Sequence, residues 1–292
     1  MLPVVSTLFA PALFVVIWST GFVVARAIDG VAAPGLFLLA RFLASAALFA
    51  LLALATRAAW PAWRTWPKHL LAGALLQGLY VGGGYWAVSR GLSPAVMALL
   101  GTLQPMLTAL IAQRLFGEPV ARHFWGGLLV GAVGVALVLS PRLSAAGGDA
   151  LTAGVLAAAL LSVLAITAGT LIQKTSLAAA DLLSASTVQY LGGALVVGPA
   201  AWVIGESLWR PGAALWGALA WAVLMLSGVA TTLLVWMVRR GSAARVTVLV
   251  LLAPPLAAVQ AWWLFGSSLS ALQLTGFALT LGGVLLCRRA PS

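Results

Sequence analysis

The sequence predicts an all-α membrane protein of ten transmembrane helices, arranged as two inverted five-helix repeats. Three observations predict this fold class. Of the residues, 63% are hydrophobic and only 7% are charged, so a water-soluble fold would lack the polar side chains that its surface needs. Uncharged runs long enough to cross a bilayer recur along the whole chain. The second half of the chain also repeats features of the first.

Each predicted span is an apolar stretch close to the roughly 20 residues that cross a hydrocarbon core. The first half holds five spans, near residues 8–26, 34–56, 69–89, 93–113 and 123–140. The second half holds five more, near residues 150–173, 182–205, 212–238, 244–265 and 270–287. None shows the alternation of polar and apolar residues that barrel strands require. Because the first span lacks a basic n-region, we expect it to be retained and not cleaved as a signal peptide.

The internal repeat is visible as residues that recur at a nearly constant offset. The matched pairs include Arg90 and Arg240, Pro105 and Pro255, Phe116 and Phe265, and Gly127 and Gly276. Because each copy holds an odd number of spans, the second copy is inverted in the membrane relative to the first. We therefore divide one membrane domain into a first repeat, residues 1–145, and a second repeat, residues 146–292.

Basic residues predict the orientation of the chain. If the N-terminus is cytoplasmic, the loops and tail on that side hold eleven Lys and Arg residues, and the opposite loops hold four, Arg26, Arg90, Arg142 and Arg210. The positive-inside rule then predicts that both termini are cytoplasmic. The net charge of +11 is explained by this topology and by contact with anionic lipid headgroups, and we predict no nucleic-acid partner.

The positions of the acidic residues argue against an enzyme. All five lie at or outside predicted membrane boundaries: Asp29, Glu118, Asp149, Asp181 and Glu206. Proton-coupled pumps usually carry a buried carboxylate, and hydrolysis by paired carboxylates or by a Ser-His-acid triad needs one as well. A Walker-type glycine loop for ATP is absent from the sequence. We therefore predict a protein that is not an enzyme and uses no cofactor.

The sequence offers little for a metal site. Cys287 is the only cysteine, which excludes a site with several Cys ligands. His69 and His123 lie at predicted inner boundaries, where each could bind a metal or a proton. Neither has neighbours at metal-ligand spacing, so we interpret both as interfacial side chains and predict no metal.

Arg41 is the one charged residue inside a predicted span. It follows Pro34 by seven residues, which is about 10 Å along a helix. A charge at that depth costs a few kcal/mol and needs a carbonyl, a partner, a water cavity or a substrate carboxylate. Two interpretations stay open: substrate recognition or an outer gate, and a structural role at helix ends.

Polar and aromatic side chains inside the spans form a candidate binding set. On the third span, Gln77, Tyr80 and Gly84 have the spacing of one helix face. Gln104 and Thr108 share a face of the fourth span. The predicted substrate-binding residues are Trp18, Ser19, Arg41, Gln77, Tyr80, Tyr85, Gln104, Thr108, Thr232 and Trp236.

Proline and glycine mark predicted breaks and contacts. Proline removes a helix hydrogen bond and frees a carbonyl near mid-membrane, and paired breaks in two repeats indicate a site between them. We predict hinges at Gly84, Pro105, Pro254 and Pro255, although each kink could equally shape packing alone. Another group of glycines is better explained by close helix contacts: Gly127, Gly131, Gly276, Gly282 and Gly283.

Several motifs, taken in order, resemble one known family. They are Trp18-Ser19-Thr20-Gly21-Phe22, Ala40-Arg41-Phe42, Ser89-Arg90-Gly91-Leu92-Ser93-Pro94 and Phe116-Gly117-Glu118. Over nearly the whole chain they are similar to the EamA-type transporters of the drug/metabolite transporter superfamily, and the chain looks closest to the aromatic amino-acid exporters of the YddG kind. The resemblance implies a bacterial inner-membrane exporter with spans 1, 3, 4, 6, 8 and 9 around a central cavity. The second repeat departs from the pattern, because Ser267 stands where the first has Glu118.

We therefore expect a secondary transporter that moves small neutral or zwitterionic solutes outward by alternating access. Amino acids, and aromatic ones above all, are the favoured substrates, because aromatic walls with a few amides and hydroxyls suit a ring-bearing solute. A drug or metabolite exporter of the same superfamily is the alternative. An intramembrane lipid-modifying enzyme would need a buried acid or metal constellation. The expected partners are the solute and membrane lipids, and a monomer is compatible with the sequence.

Overall fold

The computed structural model describes residues 2–116, 122–143, 153–177, 180–233, 237 and 252–287. Throughout these residues the regular elements are helical, and the one β feature is an isolated bridge between Ala32 and Trp209. In chain order the helices are α1 (Leu2–Ser19), α2 (Gly21–Ala27), α3 (Pro34–Ala55), α4 (Trp66–Gly73), α5 (Gly82–Ser89), α6 (Pro94–Gly101), α7 (Gln104–Phe116), α8 (Arg122–Leu143), α9 (Ala153–Ser176), α10 (Leu182–Ile204), α11 (Ala213–Ala220), α12 (Ala253–Phe265) and α13 (Ala271–Cys287).

Within the described residues, six helical runs are long and apolar enough to cross a membrane. They are Ala10–Ala27, Pro34–Ala55, His123–Ser140, Ala153–Gln173, Leu182–Ile204 and Ala213–Leu233. The predicted all-α membrane class is therefore confirmed, whereas the total of ten spans stays a prediction.

Two wide helical segments interrupt the α-helices at matching places. Ala74–Val81, the first π segment, joins α4 to α5, and Trp221–Ala230, the second π segment, follows α11. Each begins eight residues after the start of the helix that leads into it. π-Helical stretches are rare and occur frequently at functional sites. Their equivalent positions support the division of the chain into two related halves.

The break in the fourth predicted span lies before Pro105 and not at it. Helix α6 ends at Gly101 and α7 begins at Gln104, with Thr102 and Leu103 in a turn. Pro105 is therefore in the first turn of α7, where its missing N–H has no helical partner in any case. Pro254 and Pro255 likewise stand in the first turn of α12. The expectation that these prolines interrupt helix interiors is wrong: each lies where a new helix begins.

Helices α8 and α13 pack with their backbones almost in contact. A methyl group added at Gly283 would lie 2.5 Å from the backbone nitrogen of Gly131 and 2.6 Å from the carbonyl oxygen of Gly127. One added at Gly276 would also lie 2.6 Å from a backbone carbonyl oxygen of α8. The predicted close contacts are confirmed at these four glycines. Gly282 has nothing within 4 Å, so the prediction is wrong there, because the neighbouring position on a helix faces another direction.

We expect Gly283→Ala to lower the thermal unfolding temperature of the purified protein. The added methyl group must push two backbones apart, and such overpacking costs about 1–3 kcal/mol. Gly282→Ala is the matched control: it adds the same group in open space and should leave the temperature unchanged or raise it slightly. Equal behaviour of the two variants in detergent would contradict the packing of α8 on α13.

Candidate functional site

Arg41 lies on α3 and is buried, with 6% of its surface exposed. Its Nε and Nη2 atoms lie 3.4 and 3.5 Å from the hydroxyl of Ser227, in the second π segment. Its Nη1 atom lies 3.5 Å from the hydroxyl of Tyr85 on α5. The guanidinium therefore connects helices of the first half of the chain with the second π segment.

Two aromatic rings lie beside this guanidinium: that of Tyr85, and that of Phe42, whose centre is 5.8 Å from the guanidinium carbon. Phe37 of α3 stacks on Tyr85 with ring centres 6.3 Å apart, and Phe22 of α2 lies 6.3 Å from the same ring. Phe22 also meets Tyr80, in the first π segment, edge-on at 5.7 Å. We call Arg41, Tyr85, Ser227, Phe22, Phe37 and Tyr80 the Arg41 cluster. Such ring pairs prefer edge-on or offset stacked contacts, so they hold the tyrosines in fixed positions.

A second polar group joins α1 to the second half of the chain. The side-chain amide of Gln260, on α12, donates to the Ser19 hydroxyl at 2.9 Å. The indole N–H of Trp221 donates to the Thr20 hydroxyl, also at 2.9 Å. The Oε1 atom of Gln260 is buried without a hydrogen-bond partner among the described residues. Ser19, one of the predicted substrate-binding residues, therefore lies at a contact between the two halves.

A third polar group joins α7 to α9. The Gln104 amide donates to the Thr170 hydroxyl at 2.8 Å. The Thr108 hydroxyl donates to the backbone carbonyl of Gln104, also at 2.8 Å. The predicted pair Gln104 and Thr108 is therefore together, one turn apart on the same helix, and only Gln104 reaches another helix.

The prediction that Gln77 shares a face with Tyr80 and Gly84 is wrong. The Cβ of Gln77 lies 2.6 Å from the position that a Cβ at Gly193 of α10 would occupy, whereas Gly84 packs against Phe22. The cause is the first π segment, whose wider turn rotates side chains away from the spacing of an α-helix. Tyr80 and Gly84 both meet Phe22 and remain together.

Trp18 and Thr232 make contacts within their own helices. Trp18 packs against Phe14 of its own helix, with ring centres 5.3 Å apart. Thr232 is exposed, and its hydroxyl donates to the carbonyl of Gly228 in its own helix. Trp236 lies outside the described residues, as does the side chain of Pro105.

The predicted set does not contain seven members of these groups: Ser227, Phe22, Phe37, Gln260, Trp221, Thr20 and Thr170. Phe22 stands in one of the motifs that carry the family resemblance, and that position could have indicated it as a candidate. A lone serine or glutamine in an apolar helix carries no such signal, because only tertiary packing reveals its partner.

The described carboxylates are all engaged at helix ends. Asp29 pairs with Arg26 at 2.7 Å, and Asp181 caps the start of α10 by accepting from the backbone N–H of Leu183. Glu206 accepts from the backbone N–H of Leu36, in the first turn of α3. Within the described ranges no carboxylate lies within 4 Å of Arg41, and no group of three His, Cys, Asp or Glu residues could hold a metal.

A separate pocket of about 290 Å³ opens at the end of the molecule that carries Arg26. Its wall includes Arg26, Leu92, Ser93, Val138, Ala258 and Gln273. The pocket adjoins the ends of α2, α8 and α12 and does not include any member of the Arg41 cluster.

Comparison with known proteins supplies the family. A model described as the EamA-like transporter family matches the chain twice, over residues 5–140 and 152–289. No curated protein matches. A solved structure described only as "Crystal structure of protein" has a TM-score of 0.67 and 20% sequence identity to this chain, covering 97% of each chain, a likeness that shows the fold alone. Because the two family matches cover nearly the whole sequence, the chain belongs to the EamA-like transporter family.

Proposed function

We propose that this transporter exports amino acids, aromatic ones above all, across the bacterial inner membrane by alternating access. The observation that carries the proposal is the Arg41 cluster, in which a buried cation between the two halves contacts Tyr85, and Tyr85 packs against further aromatic rings. Rings favour contact with a ring-bearing solute. A few fixed polar groups then orient the solute.

The charges of the cluster favour a zwitterion over a phosphorylated solute. A sugar phosphate or nucleotide sugar brings two or more negative charges, which are usually held by several Arg or Lys side chains. Arg41 is the only Arg or Lys among the buried residues in the described part of the chain. One guanidinium matches one carboxylate. We therefore place the binding site at the predicted substrate-binding residues that approach Arg41, with the remainder of that set along the pathway.

Two contacts between the halves, both formed in this conformation, are candidate gates of the pathway. One joins Ser19 to Gln260, and the other joins Gln104 to Thr170. Each depends on one short amide–hydroxyl hydrogen bond, supplemented at Gln260 by a longer contact of 3.4 Å to the Val16 carbonyl, and a hydrogen bond contributes only about 1 kcal/mol net. Bonds of this strength can open and re-form in every transport cycle. The breaks before Pro105 and Pro254, with Gly84 and Pro255, supply the predicted hinges.

A drug or metabolite exporter is the second candidate. The same rings would accept an uncharged aromatic compound, and the 290 Å³ pocket beside Arg26 has room for a solute of that size. The two candidates differ in their response to amino acids: an amino-acid exporter transports them, and a drug or metabolite exporter does not.

Counterflow in liposomes tests the proposed substrates. With the purified protein and unlabelled phenylalanine inside, we expect labelled phenylalanine and tryptophan to accumulate well above the level in protein-free liposomes, because exchange needs no energy source. Repeating the assay with an imposed proton gradient measures coupling. Absence of accumulation for every amino acid, with transport of aromatic drugs instead, would favour the second candidate.

A reporter fused after Ser292 tests the orientation. The basic loops predict cytoplasmic termini, so we expect activity from a cytoplasmic reporter and none from a reporter that requires the periplasm. The reverse pattern would contradict the proposed topology.

The paired prolines test the hinges. Alanine at position 105 supplies a backbone N–H that can bond the carbonyl of Gly101 and so continue α6 into α7, and alanine at 255 removes the ring constraint from the first turn of α12. Because each proline lies in a first helical turn, we expect the Pro105→Ala, Pro255→Ala double variant to keep or raise its unfolding temperature. Flux should fall, since a continuous helix in place of α6 and α7 would bias the equilibrium toward one conformation.

Flux in this experiment is compared at matched amounts of folded protein. Normal export by the double variant would show that the prolines shape packing and do not gate the pathway.

A further inference from the structure

Arg41 is a buried cation whose hydrogen-bonding capacity is largely unused. A guanidinium offers five N–H donors in a planar fork. The three contacts of Arg41 with Ser227 and Tyr85 measure 3.4, 3.5 and 3.5 Å, beyond the 2.7–3.2 Å of ordinary N–H···O bonds. Both partners are neutral hydroxyls, so neither compensates the charge.

The chain itself has few means to balance this charge. It contains five acidic residues in total. Asp29, Asp181 and Glu206 are engaged at helix ends, and Glu118 and Asp149 fall outside the predicted spans. A buried charge that has no counter-charge is unfavourable. Within the described residues, the Phe42 ring, 5.8 Å from the guanidinium carbon, compensates part of the charge, and an anion from outside the chain would balance the rest.

The three side chains have the chemistry of an anion site. A guanidinium binds a carboxylate through two parallel hydrogen bonds, and the hydroxyls of Tyr85 and Ser227 can each donate one more. They belong to α3, α5 and the second π segment, so three elements converge on one position. Phe37 and Phe22 pack on the Tyr85 ring, so aromatic surface lies next to the proposed carboxylate position.

We propose that Arg41, Tyr85 and Ser227 bind the carboxylate of the transported solute. The proposal rests on the proposed amino-acid substrates and names the group that selects them. It predicts that the protein distinguishes an amino acid from the corresponding amide. A purely structural Arg41 would make no such distinction, because it would affect both ligands equally.

The experiment measures binding by thermal stabilisation of the purified full chain in detergent. Its thirteen Trp residues report unfolding by fluorescence, and the ligand dependence of the unfolding temperature gives an apparent affinity. The ligands are L-phenylalanine and L-phenylalaninamide. We expect the wild-type protein to bind phenylalanine at least about tenfold more tightly than the amide, because only phenylalanine has a carboxylate that forms charge-assisted hydrogen bonds with the guanidinium.

Arg41→Gln should abolish this preference, because it lowers the affinity for phenylalanine and leaves the affinity for the amide unchanged. Arg64→Gln is the matched control, because Arg64 is exposed and its guanidinium stacks on Trp63; it should leave both affinities unchanged. An equal loss for the two ligands in Arg41→Gln, or an unchanged preference, would overturn the proposal.

Two further variants test the carboxylate site if Arg41→Gln does not fold. Tyr85→Phe and Ser227→Ala keep the charge and remove one donor each, so the preference for phenylalanine should fall severalfold in their combination. An unchanged preference there would overturn the proposal.

Wild-type protein that binds neither ligand would contradict the amino-acid substrates. The compound 3-phenylpropionate, which has the carboxylate and lacks the ammonium group, then tests the anion site independently. Binding that is lost in Arg41→Gln supports the site, and no binding by the wild type overturns it.

Discussion

In a bilayer no water satisfies a backbone N–H or C=O group that leaves a helix, and this constraint governs where the chain can depart from α-helical geometry. At the break between α1 and α2, the Thr20 hydroxyl donates to the carbonyl of Ile17 at 2.6 Å. At the break between α6 and α7, the Thr102 hydroxyl donates to the carbonyl of Leu99 at the same distance. Both breaks therefore begin with a threonine that satisfies a carbonyl locally. Each can bend without exposing a polar group to lipid.

The π segments are the second kind of departure, and they contribute to the Arg41 cluster from both halves. Tyr80 belongs to the first π segment and Ser227 to the second. A π-helix keeps its backbone hydrogen bonds while it rotates the side chains that follow. The chain thereby directs polar side chains between helices without breaking the backbone ladder. Irregular geometry and candidate binding groups thus coincide in the same segments of the chain.

Sequence patterns predicted the membrane class, the repeated halves and a charge buried at Arg41, because composition, periodicity and a charged residue inside an apolar span are all visible in the sequence. They failed where geometry depends on packing. Gln77 was misplaced since nothing in residues 74–81 distinguishes a π segment from an α-helix. The proline breaks were misplaced by a few residues, because a proline fits both a kink and a first turn. Ser227 could not be found, because a serine in an apolar helix becomes informative only beside its guanidinium.

The location of Arg41 also bears on how transport would be coupled to occupancy. A ligand shifts a conformational equilibrium only if it binds one conformation better than the other. A guanidinium without an anion is more stable where water reaches it, whereas a guanidinium paired with a carboxylate tolerates burial. Occupancy of the Arg41 cluster would thus favour the conformation in which Arg41 is enclosed between α3, α5 and the second π segment. Since these elements come from both halves, closure around the bound carboxylate would bring the halves together. Release of the solute on either side would leave Arg41 without an anion, and the conformation in which water reaches its guanidinium would again be favoured.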